Sequence, residues 1–497
     1  MKITVLLFNI IILYAFTYSF SLFATNAKNK FKNSIVRIST TYQTPSFYEP
    51  WRWSPPQTKS GQGVIINKNT VLTLASNVVN ATMIKVKLNS EPVPTNMHII
   101  AINLNSNLAI LKGDLPSTVK PLKIPEKSPF IKGDDINFYW KSDQGDIMEG
   151  SAILERIEAK FISKFSLQQQ TVYRAIRSNQ QYIALGIPIF DKNNKFFGLA
   201  IRGGSEYEFS ILTCDIIKRT FNLKKNQKQQ PTGIPGFQTA PLTQIYYRQK
   251  LGLTSTNNGC LISKLFEQGT GIHDLKQGDV ILEVDGKKID AWGKYENKLF
   301  GMLPFQHLFS ESYISTFIPM TIMRNKKQMQ LNIKLASIDD NKWLIRRNEG
   351  KEQSPYLIRG GFIFIPMTIS LLKAWGNNYL NNAPLPLIEV FNKYKYKLRT
   401  PEQDELVILS RVLPHPSNIG LQSIQNMVIS KINGKTLKNL KQLKSILDVN
   451  DKEVIKLSLF PGDIPLWLNP KTLKDADNDI QKQYGIFKLE HFIKESN

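Results

Sequence analysis

The sequence predicts a mainly β protein, two closed antiparallel barrels followed by two smaller α+β modules, and three observations carry that prediction. Short β-rich segments separated by turn residues crowd the stretch from Phe31 to Thr213, as antiparallel barrels require. A polar segment without hydrophobic periodicity, 224–232, sets that stretch apart from the rest. Beyond it, VILEVDGKKI at Val280–Ile289 is echoed by VISKINGKTL at Val428–Leu437, a repeat that begins 148 residues further on (280 to 428).

Bulk properties agree with several folded domains. A chain of 497 residues exceeds what one core organises. With 42% hydrophobic and 21% charged residues the composition excludes a chain dominated by disorder. The only cysteines, Cys214 and Cys260, flank the polar linker, so no disulfide framework is expected and the fold must rest on its cores. Lys plus Arg number 64 against 40 Asp plus Glu, a net charge of +24. The lysines are spread through nearly every segment, which reads as a bias of the whole composition rather than a patch. The resulting positive field still leaves open a cationic envelope-surface protein that associates peripherally with anionic lipid.

The elements follow in order. Residues 1–27, MKITVLLFNIIILYAFTYSFSLFATNA, place Lys2 before an apolar run and end with Thr25 and Ala27 at the minus-three and minus-one positions of a cleavage site. This reads as an export signal to the periplasm or the exterior, and its long apolar run also suits an uncleaved anchor. Strands such as SIVRIS, TVLTLA and LAILK fill 31–223, and a helix at Asp215–Leu223 closes that region. The first module spans 233–336 and the second 356–484, joined by the charged linker 337–355 and followed by a tail, 485–497. Asp285-Gly286 and Asn433-Gly434 are pairs that accept positive φ in a tight hairpin. Leu437, Leu440, Leu443 and Leu447 recur at helical spacing after the second, with Lys438, Lys441 and Lys444 on the solvated face. KYKYKLR, Lys393–Arg399, alternates cations with Tyr394 and Tyr396; it reads as a guarded edge strand rather than a single-strand nucleic-acid surface, and nucleic acid is not an expected partner.

Particular phrases resemble the HtrA/Deg family of serine proteases, a chymotrypsin-like double barrel followed by PDZ domains, and most of all its two-PDZ branch typified by plant Deg proteases. They are SGQGVII at Ser60–Ile66, VLTLASNVVNA at Val71–Ala81, NLAILK at Asn107–Lys112, GIPGFQTAPLTQIYYRQKLGL at Gly233–Leu253, GGFIFIPMT at Gly360–Thr368 and SRVLPHPSNIGLQSIQNMVISKINGKTLKNLKQL at Ser410–Leu443. The resemblance runs from about Ser34 to about Tyr484. The family's phrases are VLTNAHVV with the general base, DLALLK with the orienting acid, and GNSGGP with the nucleophile. Laid on this sequence, those three positions are Ser76, Asn107 and Leu185, the last within ALGIP at Ala184–Pro188.

Acyl transfer needs a hydroxyl or thiol, a base to take its proton, and a group that fixes the imidazole tautomer. Leucine, serine and asparagine at these positions fill none of those roles, so the resemblance implies a pseudoprotease with no catalytic residues. Ile183 and Ile187 also replace glycines of the oxyanion loop, where positive φ is needed. The alternative is an active serine endopeptidase with another arrangement, such as Ser178 with His98. The chain's five histidines are His98, His273, His307, His415 and His491, and His98 alone falls in the barrel region. It sits mid-strand, the setting of a structural histidine. No cysteine or histidine pair has metal-ligand spacing and no phosphate-binding glycine motif occurs, so neither metal nor cofactor is expected.

The resemblance implies peptide binding through the PDZ modules. Gly236 and Phe237 in the first, and Gly360, Gly361 and Phe362 in the second, match the loop that holds a peptide carboxylate beside a strand-addition edge. The partners it implies are peptides or unfolded proteins, and an active protease relative that the chain regulates. FYEPWRW at Phe47–Trp53 carries four aromatics where the family trimerises, so a homotrimer is also implied, against the plainer reading of an aromatic loop cover.

Overall fold

The computed structural model describes residues 30–88, 93–129, 131–160, 170–177, 185–202, 207–221, 232–254, 259–298, 300–347, 353–376, 378–449 and 453–493. The chain divides into two compact units, one formed by 1–42, 57–263 and 274–336, the other by 43–56, 264–273 and 337–497.

The first unit opens with two closed barrels. β1 (Ile35–Tyr42), β2 (Gln57–Asn67), β3 (Thr70–Leu74), β4 (Ala81–Lys87), β5 (Thr95–Asn103) and β6 (Leu108–Lys112) close in the order β1-β2-β3-β6-β5-β4. β7 (Asp135–Lys141), β8 (Ile147–Lys160), β9 (Gln170–Arg177), β10 (Pro188–Asp191), β11 (Phe196–Arg202) and β12 (Glu208–Thr213) close as β10-β11-β12-β9-β8-β7. The chymotrypsin-like double barrel expected from the sequence is therefore present. Each barrel has its own interior, around Val36, Ile38, Val71 and Leu111 in the first and Phe138, Leu154, Ile189 and Phe209 in the second. A third cluster, including Ile35, Val64, Leu72, Leu108, Tyr139, Phe190 and Leu212, takes residues from both barrels and forms the seam between them. β3 is buried along its whole length because one of its faces meets the first interior and the other meets this seam. A one-turn helix, α1 (Ala75–Val78), follows β3 directly. The closing helix, α2, spans Cys214–Thr220, shorter than the sequence suggests, because Phe221 leaves the helical conformation and is buried.

The first α+β module is a sheet ordered β13 (Phe237–Ala240), β14 (Cys260–Leu265), β15 (Val280–Val284), β19 (Phe317–Arg324), β20 (Lys327–Lys334), with β16 (Lys287–Lys288) paired to β15. β17 (Lys294–Asn297) and β18 (Gly301–Pro304) make a separate ribbon, and α3 (Ile245–Lys250) and α4 (His307–Ser310) are short helices. The second module's sheet runs β27 (Ile464–Leu468), β26 (Ile455–Phe460), β24 (Met427–Ile432), β23 (Val407–Val412), β22 (Phe362–Pro366), β21 (Tyr356–Arg359), β28 (Glu490–His491), with β25 (Lys435–Thr436) on β24. Its helices are α5 (Ile369–Leu372), α6 (Tyr379–Asn382), α7 (Leu385–Tyr394), α8 (Leu440–Val449) and α9 (Pro470–Tyr484).

The two modules share a pairing order. β13-β14-β15-β19-β20 in one matches β22-β23-β24-β26-β27 in the other. The hairpin residues Asp285-Gly286 and Asn433-Gly434 all have positive φ, as this turn demands. The second module adds β21 and β28 outside β22, on the side where β13 has no partner strand among the described residues.

KYKYKLR departs from the edge-strand reading. Lys393 and Tyr394 end α7, whose Leu387, Ile388, Val390 and Phe391 are buried at helical spacing. Tyr396 stacks on Phe266 with ring centroids 3.8 Å apart, and Leu398 bridges to Trp343. α8 buries Leu440, Leu443 and Leu447, but Lys444 is not simply solvated: it pairs with Asp448 and, at 3.4 Å, with Glu490. Among the described residues no helix is long and apolar enough to cross a membrane; residues 1–27 lie outside them.

Candidate functional site

Ser76, Asn107 and Leu185 converge at the seam between the barrels. Ser76 lies in α1, and Asn107 occupies the turn before β6 with a φ of 52°. The Ser76 N–H donates to Asn107 Oδ1 and the Ala75 N–H to the Asn107 carbonyl, both at 2.9 Å. Asn107 thus pins the helix by its side chain and its backbone together. The Ser76 hydroxyl is buried and finds no hydrogen-bond partner, while Lys59 Nζ donates to the Ser76 carbonyl at 2.8 Å and the Val79 carbonyl at 3.2 Å. A cation there complements the carbonyl end of the helical turn.

Leu185 packs its side chain against the seam cluster. Its carbonyl accepts from the Gln62 N–H at 3.0 Å and from Asn77 Nδ2 at 3.1 Å. The same Asn77 nitrogen lies 3.1 Å from Thr73 Oγ1, and Asn77 is 3% exposed. Two glycines make room for it: a Cβ at Gly61 would collide with the Asn77 carboxamide, and a Cβ at Gly186, whose φ is +84°, would collide with the Gln62 carbonyl. An amide side chain is therefore wedged between β2, β3 and the Leu185 loop, a role the sequence reading missed. Its signal was an amide residue within a largely apolar stretch, VLTLASNVV.

Gln62 continues this network into the second barrel. Its side chain donates to the Lys141 carbonyl at 2.9 Å and accepts from the Lys141 N–H at 3.1 Å. The Lys141 amine is buried without a partner, and burial, reinforced by the charge of Lys32, lowers its pKa to about 8. The three positions thus present an aliphatic, a hydroxyl and an amide side chain, with the Lys141 amine close by in the same network. His98 sits on β5 opposite Lys112, exposed to solvent. Ser178, Ile183 and Ala184 lie outside the described residues. Among the described residues no cluster of three or more His, Cys, Asp or Glu side chains is arranged to hold a metal.

In the first module Phe237 opens β13 and is buried, its ring 6.3 Å from both Phe305 and Phe309. Gln306, just before α4, donates to Thr239 of β13 at 3.4 Å. No described side chain hydrogen-bonds the Gly236 amide. The second module differs at the matching place. Gly360 and Gly361, with φ of 54° and 87°, form the turn between β21 and β22. The Gly360 N–H donates to Asp477 Oδ1 of α9 at 2.7 Å, and Asn418 Nδ2 donates to the Gly360 and Leu413 carbonyls at 2.8 and 2.9 Å. Phe362 is 1% exposed, and β22 is paired on both sides, to β21 and β23. The loop amide and the strand edge of this module are both taken by the chain itself.

The aromatic segment 43–56 is grouped with the second unit, where Phe47 and Trp51 pack against its core. Tyr48 meets Trp375 edge-on at 5.8 Å and lies under Arg411.

A family model described as PDZ domain matches residues 345–490. Protease Do-like 2, chloroplastic, from Arabidopsis thaliana is 22% identical over 469 residues, covering 92% of this chain and 74% of that protein. Protease Do-like 4, mitochondrial, from the same plant is 22% identical over 471 residues, covering 91% and 84%. A serine protease DegP homolog of Plasmodium falciparum is 31% identical over 186 residues, covering 37% of this chain and 20% of its own length. Among solved structures, HtrA-type protease AlgW with tripeptide aligns with a TM-score of 0.48 at 17% identity, covering 64% of this chain and 98% of that one.

Proposed function

Because the chain belongs to the HtrA/Deg family, we propose that it has abandoned the family's hydrolytic chemistry and acts as an exported scaffold that binds peptides or unfolded segments in envelope protein quality control. The observation that carries this reading is the occupant of the nucleophile position. Leu185 offers no attacking atom, and its carbonyl is clamped by Asn77 and Gln62. Ser76 cannot act as a base near neutral pH, and with no imidazole at its position Asn107 has none to orient. Peptide binding rests on the first module, where among the described residues no strand pairs with the outer side of β13 and no side chain hydrogen-bonds the Gly236 amide. The second module, with its loop amide and β22 edge self-occupied, is not assigned this role. Partners are unfolded chains and an active protease relative that the scaffold regulates. Phe47 and Trp51 are already packed within the chain, which favours a cover over that core rather than a trimer contact.

Incubation with casein and with a fluorophosphonate probe tests the loss of chemistry. Neither cleavage nor labelling is expected; labelling abolished by Ser178→Ala would establish the alternative endopeptidase instead. Titration with fluorescent extended peptides tests the scaffold. Binding that Phe237→Asp abolishes is expected, and binding indifferent to that change would remove the first module from the function.

A further inference from the structure

The outermost strand of the second module's sheet is one of its two shortest. β28 contributes two residues, Glu490 paired with Leu357 and His491 with Tyr356. Around it the Ile358 N–H donates to the Leu489 carbonyl at 2.7 Å, and the Tyr356 hydroxyl donates to the Lys488 carbonyl at 2.9 Å. By contrast β21 itself is fixed to β22 by the two-residue Gly360-Gly361 turn and cannot leave. The segment that carries β28 follows α9 through Gly485, whose left-handed φ of 61° ends the helix, and Phe487 within it is 88% exposed.

Side chains give this pairing a chemical preference. Glu490 lies 2.9 Å from Arg359 and 3.4 Å from Lys444. Leu489, one residue earlier and on the opposite face, packs against an apolar cluster of the module. Arg359 and Lys444 already share Asp448, and Arg359 also faces Asp477 at 3.9 Å. When Glu490 departs, two cations remain opposite two carboxylates, so the tail leaves without stranding an unbalanced charge. A lysine in its place would meet Arg359 and Lys444 together.

We infer that the outer edge of Tyr356–Arg359 is a strand-addition site held in cis by residues 488–492, and that it accepts in their stead an extended polypeptide segment with an apolar residue followed by an acidic one. Backbone pairing supplies the affinity and the Arg359–Lys444 pair the selection. The tail then shields an edge that would otherwise recruit other strands. This site is separate from β13, and its test does not depend on what the first module binds.

The probe is the fluorescent peptide IFKLEHFI, the sequence of residues 486–493, with a second probe carrying lysine in place of glutamate. The full chain is compared with one that ends at Phe487. The shortened chain is expected to bind the first probe at least tenfold more tightly than the full chain does, and the lysine probe at least tenfold more weakly than the first. Equal binding by the two chains, or of the two probes, overturns the inference. Should the shortened chain fail to fold, the full-length Glu490→Lys protein serves. Its Ile358 amide should exchange at least tenfold faster with solvent deuterium than in the native sequence, and an unchanged rate overturns the inference as well.

Discussion

The side-chain nitrogen of Asn77 stands 3.1 Å from the carbonyl oxygen of Leu185. One amide thereby joins the turn after β3 to the loop before β10, across the seam where the two barrels meet. Asn77→Ala leaves the Leu185 carbonyl with one donor fewer and opens a void beside Gly61 and Gly186. Because the Gln62 N–H still satisfies that carbonyl, we expect a loss of about 1 kcal/mol, the net worth of one hydrogen bond, read as a lower urea midpoint with an unchanged slope.

Lys141 presents the reverse case, a group whose removal should help. It is 2% exposed, its amine has no partner, and burial together with Lys32 lowers its pKa to about 8 from an ordinary 10.5. A lysine with a depressed folded value costs stability wherever it would be protonated in the unfolded chain. The cost is complete below about pH 8, fades between there and 10.5, and is absent above. Lys141→Met should therefore stabilise the protein at pH 7 by on the order of 3 kcal/mol, with the gain shrinking toward pH 10. Melting curves of both proteins across that range check the sign.

Local signals were legible and long-range ones were not. Asp285-Gly286 and Asn433-Gly434 announced their hairpins because a turn that needs two positive φ values admits few residue pairs. The α8 leucines announced a buried face for the same local reason. KYKYKLR misled because its alternation is a strand pattern, whereas the apolar spacing of Leu387, Val390 and Phe391 carries a helix as far as Tyr394. Ser76, Asn107 and Leu185 were singled out from short phrases. The Asn77 amide beside them was not, because it depends on Gly61 and on Gly186, and the latter reaches it only once the second barrel has folded. Asp477 on the Gly360 amide spans 117 residues of sequence, and no periodicity carries that far.

The two cysteines should be chemically silent in the native state. Cys214 and Cys260 are free and buried, and burial pushes both thiols up to about 12. Since the thiolate is the reactive form, Ellman's reagent should modify neither at pH 8 without denaturant. Both should react completely in guanidinium, and modification in native buffer should proceed no faster than unfolding. Rapid native labelling of either would contradict the burial described above.

Asp477 offers a titration of opposite direction from an ordinary surface carboxylate. Burial raises its pKa to about 6, against the lowering effects of the Gly360 hydrogen bond and Arg359, with Asp448 and Glu490 adding repulsion. An acid whose folded value lies above its unfolded one holds its proton better in the native state. Stability is therefore gained as pH falls through 6 toward 4 and is forfeited above 6. Asp477→Asn keeps an oxygen for the Gly360 N–H and removes the buried charge. The variant should gain about 3 kcal/mol at pH 7.5 and only about 1 kcal/mol at pH 4.5, where the folded carboxyl already holds its proton. Unfolding midpoints measured at those two pH values test this, and a variant less stable than the native sequence at pH 7.5 would mean that the Arg359 pairing outweighs the desolvation of the carboxylate.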